Sequence, residues 1–146
     1  MPALQLVRVG NALPEDFATL RRAAETEGHR HMAQLEDEFA LGAQRFDRDG
    51  EVLLAAFADG RLVGIGGLTL EPEAPEALRM RRLYVLPSAR RSGVATAIAN
   101  ALSQEAVGRA RLLTVHAGNP DAERFWETMG YERVAGRPWS HQTPSA

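Results

Sequence analysis

The sequence predicts one α/β domain, a central mixed β-sheet flanked by helices. Three features of the chain carry this expectation. Apolar residues recur at strand spacing in some segments and at helical spacing in others, along most of the chain. Asp59-Gly60 separates two apolar runs in the manner of a tight hairpin turn, so part of the sheet is antiparallel. Later strands are interleaved with helices, which implies a sheet layered under helices. At 146 residues and 45% hydrophobic content, the chain suits a single domain over residues 1–146 with its own core. The core is expected over 4–134, with a polar tail at 135–146.

The first strand is expected at 4–9, where apolar and polar residues alternate before Asn11 and Pro14 break the pattern. A helix follows over 14–27, with Phe17, Leu20, Ala23 and Ala24 at helical spacing and Gly28 ending it. His29, Arg30 and His31 fall in the connection to a second short helix over 32–40, which places Leu35 and Phe39 on one face. After a polar turn at 45–50, the hairpin strands run over 51–58 and 61–70, and Gly64, Gly66 and Gly67 allow close approach or a bulge in the second. Residues 71–77 are acidic, contain prolines and read as a loop.

A strand at 78–86 is halted by Pro87. The helix over 94–107 carries a mostly apolar stripe through Val94, Ala97, Ile98, Ala101 and Leu102, and Gly108 ends it. The apolar run at 112–115 marks a strand over 111–116. Asn119 can cap a last helix with Pro120 in its first turn, and Phe125, Trp126 and Met129 lie on that helix before Gly130 stops it. A final strand is expected at 131–134, and the tail beyond it is expected to be loose, with Trp139 able to dock.

Composition narrows the function. A net charge of −2 gives no general reason to expect nucleic-acid binding. The absence of cysteine excludes disulfides, thiolate nucleophiles and cysteine metal sites, and is compatible with a reducing cytoplasm. The first ten residues are too short and polar for a signal peptide, and no apolar run approaches the ~20 residues that span a bilayer. A soluble cytoplasmic protein without membrane contact is therefore expected. No pair of histidines has zinc-type helical spacing with a carboxylate partner, so no metal site is expected either.

Residues 83–95, LYVLPSARRSGVA, hold the strongest chemical signal. A strand enters a glycine-containing turn that opens a helix. Such a turn aims several backbone N–H groups at one spot, and the helix N-terminus adds roughly half a positive charge. Arg90 and Arg91 supply full charges. The combination suits a phosphate-bearing ligand, a pyrophosphate above all. The bland alternative is an ordinary basic turn opening a surface helix.

Arg90, Gly93 and Ala95 match the pattern of arginine or glutamine, two residues, glycine, one residue, glycine or alanine. In this the chain resembles the GNAT N-acetyltransferase superfamily, whose acyl-CoA-binding signature has that form. A second signature of the family also matches: Asn119, then Ala122, the aromatic pair Phe125-Trp126, and Gly130-Tyr131. The resemblance is good over residues 51–133 and weaker over the first fifty. It implies a central mixed sheet whose strands splay apart on either side of the motif helix, leaving a V-shaped cleft for the pantetheine arm of acetyl-CoA. Carried over, the backbone of Leu83, Tyr84 and Val85 holds that arm. The Leu83 N–H polarises the thioester carbonyl. Arg90, Arg91, Ser92, Gly93, Val94, Ala95 and Thr96 hold the pyrophosphate, and Gly93 leaves room for its approach. Asn119, Ala122 and Trp126 complete the cofactor side.

The resemblance implies an acetyl-CoA-dependent N-acetyltransferase acting on an amine of a small molecule or peptide. Two positions depart from the family pattern. Where many members carry a tyrosine acid this chain has Trp126, whose indole N–H cannot protonate a thiolate; Trp126 reads as a helix-face core residue or a cleft-lining one. Tyr131 and Tyr84 remain candidate acids. Where some members carry a glutamate base early in the fourth strand this chain has Arg79. Glu71 is the candidate base, against a plainer reading as a solvated loop residue; Glu73 and Glu76 are weaker. His29, His31 and His116 have the right chemistry for a base near neutral pH but read more simply as solvated polar residues, and His141 reads as part of the tail. Arg79, Arg81 and Arg82 read as a solvated or paired basic face, or as contacts to CoA phosphates or an acidic substrate. Two other functions stay open: a non-catalytic acyl-CoA sensor on the same fold, and a nucleotide-binding protein using the same turn. Family analogy also suggests a homodimer.

Overall fold

Asp59 (φ 51°) and Gly60 (φ 77°) are both left-handed, as a two-residue hairpin turn of the primed type requires. They join β2 (Val52–Ala58) to β3 (Arg61–Leu70). The other elements, in the computed structural model that describes residues 3–145, are β1 (Leu4–Arg8), α1 (Phe17–Thr26), α2 (His31–Leu41), β4 (Ala77–Val85), α3 (Val94–Ala106), β5 (Leu112–Val115), α4 (Pro120–Thr128), β6 (Glu132–Arg133) and β7 (His141–Pro144). Expectations that touch Met1, Pro2 and Ala146 lie outside the described residues. Among the described residues no helix is long and apolar enough to cross a membrane.

The strands form one seven-stranded sheet in the order β1-β2-β3-β4-β5-β7-β6. All neighbours are antiparallel except β4 and β5, which are parallel and joined through α3. The sheet is therefore mixed, as expected. Alternation along β2 sends Val52, Leu54 and Ala56 to the face covered by α3 and α4, and Leu53 and Ala55 to the face covered by α1 and α2. Burial on both faces explains the continuous apolar run of β2.

The glycines of β3 serve close approach on both faces. A Cβ at Gly66 would stand 2.7 Å from Ile98 Cγ2 on α3, and one at Gly67 would stand 2.4 Å from the Phe46 ring on the other face. Phe46 is itself buried and cannot step aside cheaply. Gly67→Ala is expected to destabilise the fold by about 1–3 kcal/mol through overpacking, read as a lower denaturant midpoint at unchanged slope.

The expected loose tail is a correction. Residues 141–144 form β7, inserted between β5 and β6 with Leu113 opposite Thr143 and Arg133 opposite His141. Backbone pairing on both sides holds this segment, so its sequence needs no alternating apolar pattern. Trp139 does dock, packing with Ala74 and Ala77.

Candidate active site

The parallel pairing of β4 with β5 ends early. It runs only from Ala77↔Leu112 to Met80↔Val115, while β4 continues to Val85. Two local features prise the strands apart. On the β4 side, Tyr84 pairs with Ile65 and Arg81 with Gly67, so β4 uses one residue more than β3 between those pairs. The extra residue is a bulge, and Arg82 within it adopts φ 60°. On the β5 side, the chain after Val115 is tied to the tail instead. The Ser140 N–H donates to the Val115 carbonyl (3.1 Å) and the Ala117 N–H to Ser140 Oγ (2.9 Å). Arg82 and Leu83 therefore have no register partner on β3 or on β5.

A cleft of about 1070 Å³ fills the gap. Leu83, Tyr84 and Val85 form one wall; Asn119, Ala122, Phe125 and Trp126 form the other; Arg90, Arg91, Gly93, Val94, Ala95 and Thr96 form the end. Every cofactor residue expected from the sequence lines it except Ser92, whose hydroxyl turns back to the Ala89 carbonyl. Arg91 (φ 66°) and Gly93 (φ 81°) are left-handed, and Gly93 caps α3. No side chain caps the first-turn amides of α3, so they remain available to a ligand. A Cβ at Gly93 would meet nothing within 4 Å of protein. Asn119 caps α4 through Oδ1, which accepts from the Ala122 N–H at 2.9 Å and leaves the side-chain amide N–H groups to the cleft.

Arg90 is not a free cation. Its two terminal nitrogens donate to both oxygens of Glu27 (2.7 and 2.6 Å), and its Nε donates to the Val85 carbonyl (3.1 Å). The Tyr84 hydroxyl donates to the same carboxylate at 2.6 Å. Glu27, just beyond α1, thus clamps that helix to the turn before α3 across 63 residues of sequence separation. The Arg90 bonds hold the Glu27 carboxyl down at about 2, from an ordinary 4.5, with Tyr84 assisting against partial burial. Burial and the Glu27 carboxylate push the Tyr84 phenol up, and its proton is already donated to Glu27. A depressed carboxyl stabilises the fold above its unfolded value and loses that contribution as pH falls through its folded value. The stability difference between wild type and Glu27→Gln is therefore expected to be full at pH 6 and to shrink between 4.5 and about 2, followed by thermal unfolding across that range.

A second cavity of about 460 Å³ adjoins the cleft; Leu83, Tyr84, Asn119, Ala122 and Trp126 line both. His29 and Arg90 also line both, and its remaining walls include Arg30 and His31 near the α1–α2 connection, Arg81 and Arg82 from the bulge, and His116 after β5. The His31 ring stands edge-on to Tyr84, with centroids 5.5 Å apart. Burial lowers the His31 imidazole below the ordinary 6.5, against an opposing contribution from the Leu83 backbone. His116 is lowered too, by partial burial and by Arg79. Glu71 is buried, not solvated. Its carboxylate accepts from Thr114 Oγ1 at 2.9 Å, lies 3.5 Å from His116 Nε2, and lines neither cavity. Tyr131 stands behind Trp126, the rings 5.0 Å apart, and also lines neither. Burial pushes its phenol up to about 12. Of the two alternatives for Trp126, core residue or cleft lining, neither excludes the other: it is buried and also forms a wall of the cleft.

The family model described as "Acetyltransferase (GNAT) family" matches residues 14–131. The chain belongs to the GNAT acetyltransferase family. Solved structures agree in fold. A candidate acetyltransferase from Exiguobacterium sp. 255-15 superimposes with a TM-score of 0.87 at 22% identity, covering 97% of this chain and 93% of the other. A GNAT-family acetyltransferase from Staphylococcus aureus Mu50 gives 0.77 at 10% identity over 99% and 100%. An aminoglycoside 6'-N-acetyltransferase complexed with coenzyme A gives 0.70 at 15% identity over 97% of each chain. No curated protein matches the sequence.

Within this GNAT domain, two sets of residues escaped the sequence reading. Glu27 carried no local signal because its partners, Arg90 and Tyr84, are distant in sequence. His141 is fully buried, with Nε2 2.8 Å from Glu127 on α4 and Nδ1 2.8 Å from Ser140 Oγ. This network fixes the post-β5 loop and α4, and so the wall that carries Asn119 and Trp126.

Proposed function

We propose that this GNAT protein transfers an acetyl group from acetyl-CoA to a primary amine of a small molecule or peptide. The observation that carries the reading is that two devices open on one cleft. The splayed end of β4 and the uncapped N-terminus of α3 meet there, with room for an extended ligand between them. The turn at Arg91–Thr96 and the α3 amides hold the pyrophosphate. Leu83, Tyr84 and Val85 pair with the pantetheine arm as an extra strand does, and the Asn119 amide donates to it. The Leu83 N–H, at the bulge and beyond the β4–β5 pairing, polarises the thioester carbonyl.

The acceptor amine lies in the second cavity. His31 takes the role of base there in preference to Glu71, because it lines that cavity beside Leu83 and burial keeps its imidazole neutral. The amine nitrogen bonds to the acyl carbon, its proton passes to His31 Nδ1 or Nε2, and the carbon–sulfur bond breaks. Trp126, Tyr84 and Tyr131 offer no usable acid, so the sulfur departs as thiolate, which a thiol's acidity permits. The same lack of an acid favours the second reading, a non-catalytic acyl-CoA-binding module. Calorimetric titration with acetyl-CoA followed by a thiol-release assay with amines tests both. Saturable binding at micromolar ligand with thiol release is expected. Binding without release from any amine selects the binding module, and no binding up to millimolar ligand removes both.

A further inference from the structure

The second cavity has an unbalanced charge. None of the residues lining it is acidic, whereas Arg30, Arg81, Arg82 and Arg90 contribute guanidinium groups or their stems, Arg90 being paired with Glu27. Glu38 on α2 is the carboxylate that Arg81 and Arg82 share. Arg82 Nη2 donates to Glu38 Oε1 at 3.0 Å, and Arg81 reaches Glu38 Oε2 only at 4.0 Å. Within ion-pair distance the two cations therefore share one anion, with Gln34 accepting from Arg82 Nη1 at 3.2 Å and Glu51 acting on Arg81 from farther away. The Nε atoms of Arg81 and Arg82, like that of Arg79 on the same strand, are moreover buried without a hydrogen-bond partner. A buried donor left unpaired is costly, and one on a charged group more so. The β4 bulge is what delivers both adjacent arginines to this place, since strict alternation would send neighbours to opposite faces.

We propose that the acceptor is an amine bearing a carboxylate or phosphate close to its nitrogen, with Arg81 and Arg82 holding that anion while the amine faces Leu83. The inference rests on the acetyl-transfer reading and adds its substrate class. It separates this site from one suited to polycationic acceptors such as aminoglycosides, which an arginine-lined wall repels. Arg81 and Arg82 are specificity residues. They act on acceptor binding and leave acetyl-CoA, on the other side of Leu83, untouched.

The test uses the full chain and matched amines that differ in their anion: glycine against glycinamide, phosphoethanolamine against ethanolamine, with kanamycin as the polycation. One anionic member is expected to exceed its neutral partner in kcat/KM by about tenfold or more, the effect of a charge-assisted bond. Preference confined to glycine assigns a carboxylate, and preference confined to phosphoethanolamine assigns a phosphate. Equal or better turnover of the neutral members or kanamycin overturns the proposal, as does failure to turn over either anionic amine. Arg82→Gln and Arg81→Gln are expected to raise KM for the preferred amine about tenfold with the KM for acetyl-CoA unchanged. Because Arg82 also braces α2, Glu38→Gln is the companion variant: it loosens the same brace but frees the cations, so KM for the anionic amine stays or falls. A KM rise in Glu38→Gln equal to that in Arg82→Gln makes the arginines structural and overturns the proposal. Calorimetric acetyl-CoA binding in the same samples separates the two failures. Lost binding removes the acetyl-transfer reading, whereas intact binding without anion preference removes only the substrate class.

Discussion

Gly93→Glu is expected to weaken acetyl-CoA binding by at least about 100-fold, or ~2.7 kcal/mol, while the protein stays folded. The reasoning joins backbone conformation to ligand charge. Gly93 is left-handed at φ 81° and its missing Cβ faces open space, so the substitution strains the backbone but collides with no protein atom. The strain costs ~1–2 kcal/mol of stability, which a thermal melt reads directly. The ligand meets a larger penalty. A side chain now occupies the approach to the uncapped α3 amides, and its carboxylate sets a negative charge where the helix end favours an anion. Gly93→Ala separates the contributions: it carries the same strain without the charge, so its melting loss should match while its affinity loss is smaller. Calorimetry on the three proteins at one ionic strength decides the matter. Affinity of Gly93→Glu within about threefold of wild type would place the pyrophosphate elsewhere.

What could be read in the sequence was local. The Asp59-Gly60 hairpin and the strand–turn–helix at Pro87–Val94 each write their geometry in adjacent residues, through positive φ and helix-end chemistry. The expected lining of the cleft came instead from the resemblance to the two GNAT signatures, at Arg90–Ala95 and Asn119–Tyr131. What could not be read depends on partners far away. Glu71 looked like a solvated loop residue because nothing near it in sequence reveals Thr114, 43 residues on. His141 and Ser140 looked like a loose tail because β7 is ordered by pairing with β5 and β6 and not by its own apolar pattern. The bulge at Arg82 puts a non-glycine residue at positive φ, which no propensity favours. That bulge nevertheless frees Leu83, brings Arg81 and Arg82 together and helps open the cleft. The turns were legible; the register was not.

His31→Gln is expected to lower kcat for amine acetylation by about 10²-fold or more, the lower end of what a positioned base supplies, with acetyl-CoA affinity unchanged. Glutamine keeps a polar side chain of similar reach but cannot take a proton. The pH dependence gives the sharper signature. The neutral imidazole is the active form, and burial sets its pKa below 6.5. Activity carried by His31 therefore falls on acidification with one-proton steepness, with its midpoint below 6.5. In His31→Gln that acid limb should vanish along with the rate. His116→Gln is the control, since His116 also lines the cavity and is also lowered, but stands after β5 beside Glu71 and away from the Tyr84 ring. A loss of 10²-fold in His116→Gln with His31→Gln near wild type would move the base across the cavity, and make buried Glu71 the group that orients it.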